Sequence, residues 1–226
     1  MLGLMQQRPL LISSLLDYAE RYHAGTEIVS RSLEGPIHRG NWGTVAGRAR
    51  RVANALQRLG VARSERIATL AWNHNRHLEI YFGVTCSGAV LHTVNPRLFP
   101  EQVRFILADA EARHVCFDVT FGALVEQLAP QLPNVRGYVA LCERDALPSI
   151  DVPNLLCYEE LLAAETDDYA WPQGNRVNIG YLLTRLARNS SSQPAVLRLS
   201  RREAFPGASR IRFWAMCLMV QKLAGA

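Results

Sequence analysis

The sequence predicts an α/β domain: a mostly parallel sheet with helices on both faces. Three observations predict it. Short apolar runs (Arg66–Trp72, Ala89–Val94, Arg113–Phe117, Gly137–Leu141) show little apolar–polar alternation, as expected for strands covered on both sides. Segments with apolar residues at helical spacing lie between them. The connecting turns are short, so each strand returns beside the last through a helix.

Leu11, Leu15, Tyr18, Ala19 and Tyr22 stand at helical spacing and make an amphipathic opening helix. Thr26–Arg31 reads as a strand and Glu34-Gly-Pro as a turn. Asn41 or Thr44 can cap the next helix, whose stripe is Val45, Ala49, Val52, Ala53, Leu56 and Leu59. Arg48, Arg51, Asn54 and Arg58 take its opposite face, and Gly60 ends it. Asn73 is a cap for a helix reaching Cys86 that is apolar on most sides and therefore interior. The strand Ala89–Val94 leads through a Pro96 turn into the helix Pro100–Glu111. The helices Phe121–Leu128 and Tyr158–Glu165 complete the pattern.

Charge is unevenly spread. Residues 1–168 hold 16 Arg against 19 Asp and Glu, a net −3. Residues 169–226 hold eight Arg and Lys222 against Glu203, a net +8. This divides the chain into an α/β body, 1–172, and a basic tail, 173–226. The tail reads as disordered or frame-shifted, with one short amphipathic helix over Ile211–Leu223. Five widely spaced cysteines (Cys86, Cys116, Cys142, Cys157, Cys217) form no Cys-x-x-Cys pair and suit a reducing, cytoplasmic setting. No signal peptide is legible, and the longest apolar run, Phe213–Val220, has eight residues, where a spanning helix needs about 18. The chain is expected to be soluble or peripheral to a membrane.

Chemistry is sparsely signalled. Neither Gly-x-Gly-x-x-Gly nor Gly-x4-Gly-Lys-Ser/Thr occurs, and Gly174 to Gly180 lacks a lysine and a preceding strand. His74 and His77 have ligand-compatible spacing, with Glu79 or Asp118 as a third ligand to be recruited by folding; the plainer reading is a solvated helix start, and no metal site is assigned. His92 reads as a hydrogen-bonded core histidine rather than a general base. Cys86 ends a buried helix and is not expected to be a reactive thiolate. Arg97, on the turn after a parallel strand, lies where ligand crevices form and can hold a phosphate or carboxylate.

Five segments in order carry a resemblance: Leu10-Leu-Ile-Ser-Ser-Leu-Leu, Ala53-Asn-Ala-Leu-Gln-Arg-Leu-Gly-Val, Arg66-Ile-Ala-Thr-Leu-Ala-Trp-Asn, Ser87-Gly-Ala-Val-Leu-His-Thr-Val-Asn-Pro-Arg-Leu and Pro153-Asn-Leu-Leu-Cys-Tyr-Glu-Glu-Leu-Leu. Together, over residues 9–172, they resemble the N-terminal part of adenylate-forming (AMP-binding) fatty-acyl-CoA synthetases of the medium- and long-chain type. The resemblance implies a fatty acid, ATP, Mg and CoA as partners and cofactors of the full-length enzyme. It places Asn95 and Arg97 near the CoA side of the cleft, and it supplies no catalytic residue to this chain. Arg63-Ser-Glu-Arg-Ile departs from the Gly-Asp such enzymes carry before the strand. The larger departure comes after Gln173. The family continues into a Ser/Thr/Gly-rich loop ending Pro-Lys-Gly that cradles the ATP phosphates. Here the chain reads Tyr181-Leu-Leu-Thr-Arg-Leu-Ala-Arg-Asn-Ser-Ser-Ser-Gln-Pro, with no glycine between Gly180 and Gly207.

The expectation is a truncated fatty-acyl-CoA synthetase, inactive alone and binding none of those cofactors productively. Apolar surface left exposed would favour self-association. The rival is a non-catalytic α/β binding module whose basic tail engages an anionic membrane or nucleic acid. The tail's lack of aromatic interleaving speaks against that.

Overall fold

The computed structural model describes residues 11–31, 33 and 35–172, and the backbone of 181–182. The chain falls into two compact units, Met1–Tyr181 and Leu182–Ala226, and the α/β body belongs to the first. The expectations for Gly174–Gly180, Ile211–Leu223 and Cys217 lie outside the described residues.

Helix α1 (Ser13–His23) buries Leu16 completely, while Tyr18 and Tyr22 are exposed, 4.9 Å apart between ring centroids. The apolar stripe drawn through those tyrosines is thus corrected: the inward face is that of Ser13 and Leu16, and the two rings cover one another instead. Strand β1 (Glu27–Arg31) pairs antiparallel with β2 (Ile37–Asn41). β2 has one apolar residue and gave no periodic signal.

Asn41 caps α2 (Trp42–Arg58), its Oδ1 accepting the Thr44 N–H at 2.8 Å. Gly60 then takes φ +72°, as a helix-ending glycine should. Ser64 takes φ +67° before β3 (Arg66–Leu70). A side chain in that left-handed region is disfavoured by about 1 kcal/mol, so the turn closes without its glycine at a small local cost. Glu65 helps, accepting the Ala62 N–H through Oε2 at 2.9 Å.

Helix α3 (Asn75–Ser87) starts two residues after Asn73, with His74 rather than Asn73 at the N-cap. Gly88 ends it at φ +91°, and β4 (Val90–Thr93) comes next. Pro100 opens α4 (Pro100–Asp109), where Gln102 Oε1 accepts the Phe99 N–H at 3.2 Å. The chain continues through β5 (His114–Phe117), α5 (Gly122–Leu128), β6 (Gly137–Ala140), β7 (Leu155–Cys157) and α6 (Tyr158–Ala163).

Five strands form a parallel sheet in the order β7-β6-β5-β3-β4. Alternate side chains serve opposite cores. Leu70, Phe117 and Tyr138 pack with Val103 and Ile106 of α4 and Leu128 of α5. Ile67, Leu91 and Val139 pack with Val52 of α2, Ile80 of α3 and Leu162 of α6. Helices therefore cover both faces, as the unbroken apolar runs require. Gly83 lets α2 and α3 approach closely: a Cβ there would lie 2.5 Å from the Val52 Cβ and 2.8 Å from the Ala49 carbonyl oxygen.

His92, in register with Ala68, is fully buried, and burial pushes its pKa down to about 4 despite the opposing pull of Asp109. The folded state thus prefers the neutral ring. Its contribution is fully present above the unfolded value near 6.5 and is lost as pH falls from there toward 4. A difference of roughly two and a half units corresponds to roughly 3 kcal/mol. Stability of the native chain should therefore decline between pH 6.5 and 4 more steeply than that of His92→Gln. Parallel slopes in urea titrations of the two proteins would contradict this. Burial also raises the thiols of Cys86 and Cys116 to about 12, so neither is a nucleophile at neutral pH.

Candidate functional site

Parallel sheets open crevices where neighbouring strands send their chains to opposite faces, outside the strands' carboxyl ends. Here that point lies between β3 and β5, because β4 flanks β3 on one side and β5 lies on the other. Asp118, the residue after β5, occupies it and is fully buried. Its Oδ2 accepts the Trp72 N–H at 2.7 Å, and its Oδ1 lies 2.7 Å from His74 Nε2. The carboxylate bridges the two loops that would otherwise part.

The histidines are correspondingly locked. His74 is buried, its Nε2 facing Asp118 and its Nδ1 lacking a hydrogen-bond partner. His77 Nδ1 lies 3.2 Å from the Trp72 carbonyl, which can only accept, so Nδ1 carries the proton. Nε2 then accepts from the Thr69 hydroxyl at 3.1 Å. Burial, with His74 nearby, lowers the His77 pKa and keeps the ring neutral. The solvated helix start expected for this pair is thus corrected: both rings are packed inward as hydrogen-bonding groups. Folding does bring Asp118 to His74, yet no group of three or more His, Cys, Asp or Glu converges as a metal site among the described residues.

The rim above carries the two residues singled out in the turn after β4. Asn95 Oδ1 accepts the Arg97 N–H at 3.0 Å, and both side chains are exposed. The Arg97 guanidinium carbon lies 5.9 Å from the Trp72 ring centroid, and Trp72 tilts against Phe121 at 5.3 Å. Asn95 and Arg97 therefore share one edge of the sheet with Trp72, whose backbone Asp118 fixes. This edge offers a cation and an aromatic face, which suits an anionic or planar group. The described residues supply no glycine-rich phosphate loop and no magnesium ligands beside it.

A second constellation escaped the sequence reading. Arg48 on α2 is not on a solvated face. Its Nε lies 2.8 Å from Glu79 Oε2, and its Nη2 lies 2.8 Å from Glu159 Oε2. Arg76 donates to Glu159 at 2.7 Å and to the Leu141 carbonyl at 2.9 Å, and it reaches Glu143 at 3.2 Å. Tyr158 donates its hydroxyl to Glu79 Oε2 at 2.8 Å. Burial alone would favour proton loss from Arg48, but Glu79, Tyr158 and Glu159 outweigh it and hold the guanidinium charged. Burial, reinforced by Glu79, pushes the Tyr158 hydroxyl far up, so it stays a donor. This web ties α2, α3 and α6 together on one face of the sheet. Its signal was present: Arg76 and Glu79 are charges within a helix otherwise fit for the interior, and buried charges require partners.

The apolar void beneath these helices, bounded by Val52, Leu56, Ile80 and Val84, measures about 20 Å3, room for a single water-sized sphere.

A solved structure of the anthranilate CoA ligase AuaEII with anthranoyl-AMP shares this fold, with TM-score 0.64 and 22% identity over 75% of this chain and 32% of that one. Its structural neighbours are acyl-CoA ligase N-terminal domains. The AMP-binding enzyme family matches residues 17–197, and the chain belongs to it. Curated relatives agree. A 3-methylmercaptopropionyl-CoA ligase of Ruegeria lacuscaerulensis is 47% identical over 172 residues, 76% of this chain. A medium-chain fatty-acid CoA ligase of Ectopseudomonas oleovorans is 41% identical, and a long-chain one of Thermus thermophilus 37%, over 76% and 78% of this chain. The chain spans about a third (32%) of the length of these relatives.

Proposed function

We propose that this chain is the N-terminal part of an acyl-CoA ligase, interrupted near residue 173, and that alone it completes neither half of the reaction. The complete enzyme would use ATP and Mg to convert a carboxylic acid to its acyl-adenylate and then pass the acyl group to CoA. The acid is a fatty acid, or a short thioether acid like that in the name of the Ruegeria relative. The observation that carries this reading is 47% identity over 172 residues, in a chain that has no glycine between Gly180 and Gly207 and no lysine before Lys222 to wrap ATP phosphates. The +8 charge of residues 169–226 against −3 before them fits a shifted reading frame in that stretch. Asn95 and Arg97 would line the CoA side of the cleft, with Trp72 beneath Arg97. No magnesium step is assigned to these residues.

The purified chain, given octanoate or 3-methylthiopropionate with ATP, Mg and CoA, should release no pyrophosphate and form no thioester. Turnover with either acid would overturn the reading. The basic tail supports one rival, a module bound to an anionic membrane or nucleic acid. Salt-dependent retention on anionic vesicles or DNA, abolished when 174–226 are deleted, would favour that rival instead.

A further inference from the structure

The β1–β2 hairpin forms a two-stranded sheet of its own. β1 pairs with β2 along one edge, and its other edge meets no strand among the described residues. Proteins usually guard such edges with proline, charged side chains or a bulge; β1 has no proline or bulge, and its two charges, Glu27 and Arg31, are opposite in sign and so can be met by a copy of the same strand. The strand is nevertheless held firmly, since Ser30 Oγ accepts the Asn75 N–H at 2.9 Å where α3 begins. Its outward side chains are Glu27, Val29 and Arg31, while Ile28 and Ser30 are half-buried. Val29 and Ile37 of the hairpin are 49% and 57% exposed. Among the described residues, three of the eight exposed large hydrophobics, Val29, Leu33 and Ile37, lie in this hairpin and its turn.

The outward charges of β1 are opposite in sign and equally distant from Val29; Glu27 also meets Arg39 of β2 at 2.8 Å, an exposed pair that leaves its second carboxylate oxygen to a neighbouring strand. We propose that β1 pairs antiparallel with β1 of a second copy about a two-fold axis at Val29, giving a four-stranded sheet across two chains. That register sets Glu27 of each copy against Arg31 of the other and the two Val29 side chains against one another. Both kinds of cross-strand pair are favourable, and the contact is self-complementary, as a two-fold interface must be. Parallel pairing would instead oppose like charges. The charge complementarity of the strand with itself selects a second copy over an unrelated extended segment.

Sedimentation equilibrium at low salt tests this, with circular dichroism to verify each variant's fold. The native chain should dimerise. Glu27→Arg and Arg31→Glu should each weaken the dimer about tenfold, because each puts two like-charged pairs across the axis. Mixing these two variants should restore association, and so should combining both changes in one chain. A native chain monomeric throughout, a dimer indifferent to both single reversals, or failure of both the mixture and the double variant to associate would overturn the proposal.

Discussion

Glu79→Ala is expected to cost about 3–5 kcal/mol of stability, as is usual when a buried pair is broken by removing one partner. Glu79 is 1% exposed and accepts from both Arg48 and Tyr158 at 2.8 Å. Its removal leaves the Arg48 guanidinium, whose side chain is 23% exposed, with Glu159 alone, and leaves Tyr158 without an acceptor. Domains of this kind have only about 5–15 kcal/mol in all, so the variant should lie near the edge of folding. Tyr158→Phe provides the calibrated companion: it removes one donor while Arg48 still satisfies Glu79, and should cost about 1–2 kcal/mol. Urea unfolding of both proteins separates a charge network that holds three helices from one that merely decorates them. Equal losses in the two variants would contradict the assignment.

Asp118→Ala is expected to cost about 2–4 kcal/mol, because two hydrogen bonds to a carboxylate are lost together. The Trp72 N–H and His74 Nε2 each lie 2.7 Å from the carboxylate. Trp72 should also move against Phe121 and Arg97, which it meets at 5.3 Å and 5.9 Å. Tryptophan fluorescence should therefore change under native conditions, in step with the fall in urea midpoint. Asp118→Asn can still accept from Trp72 and should lose less. A variant with unchanged emission and midpoint would show that the bridge does not hold the rim.

The parallel sheet was legible because strands covered on both faces leave unbroken apolar runs, and β3 to β6 each have one. β2 and β7 were not. Ile37-His-Arg-Gly-Asn has one apolar residue, and Leu155–Cys157 is three residues long. The turn after β4 drew attention to Arg97, and Asn95 came only with the family resemblance; the structure sets the Arg97 guanidinium 5.9 Å from the Trp72 ring. What pattern reading placed wrongly were charges and polar rings. Arg48 sits between the stripe positions Val45 and Ala49, where the long side chain can turn inward once α3 and α6 offer carboxylates from 31 and 111 residues away. His74 looked solvated because its partner Asp118 lies 44 residues on, beyond any local spacing rule. Periodicity reports which face is apolar; it does not report which distant charge will meet it.

If residues 1–172 are one third of a ligase and the basic tail is not its continuation, the gene itself should carry the break. Sequencing it from codon 160 past the stop, with translation in all three frames, reads that break directly. Another frame is expected to restore the Ser/Thr/Gly-rich loop with its Pro-Lys-Gly and to run on as ligase. If no frame does, the basic tail is the protein's own, the interruption is refuted, and the binding-module reading takes its place.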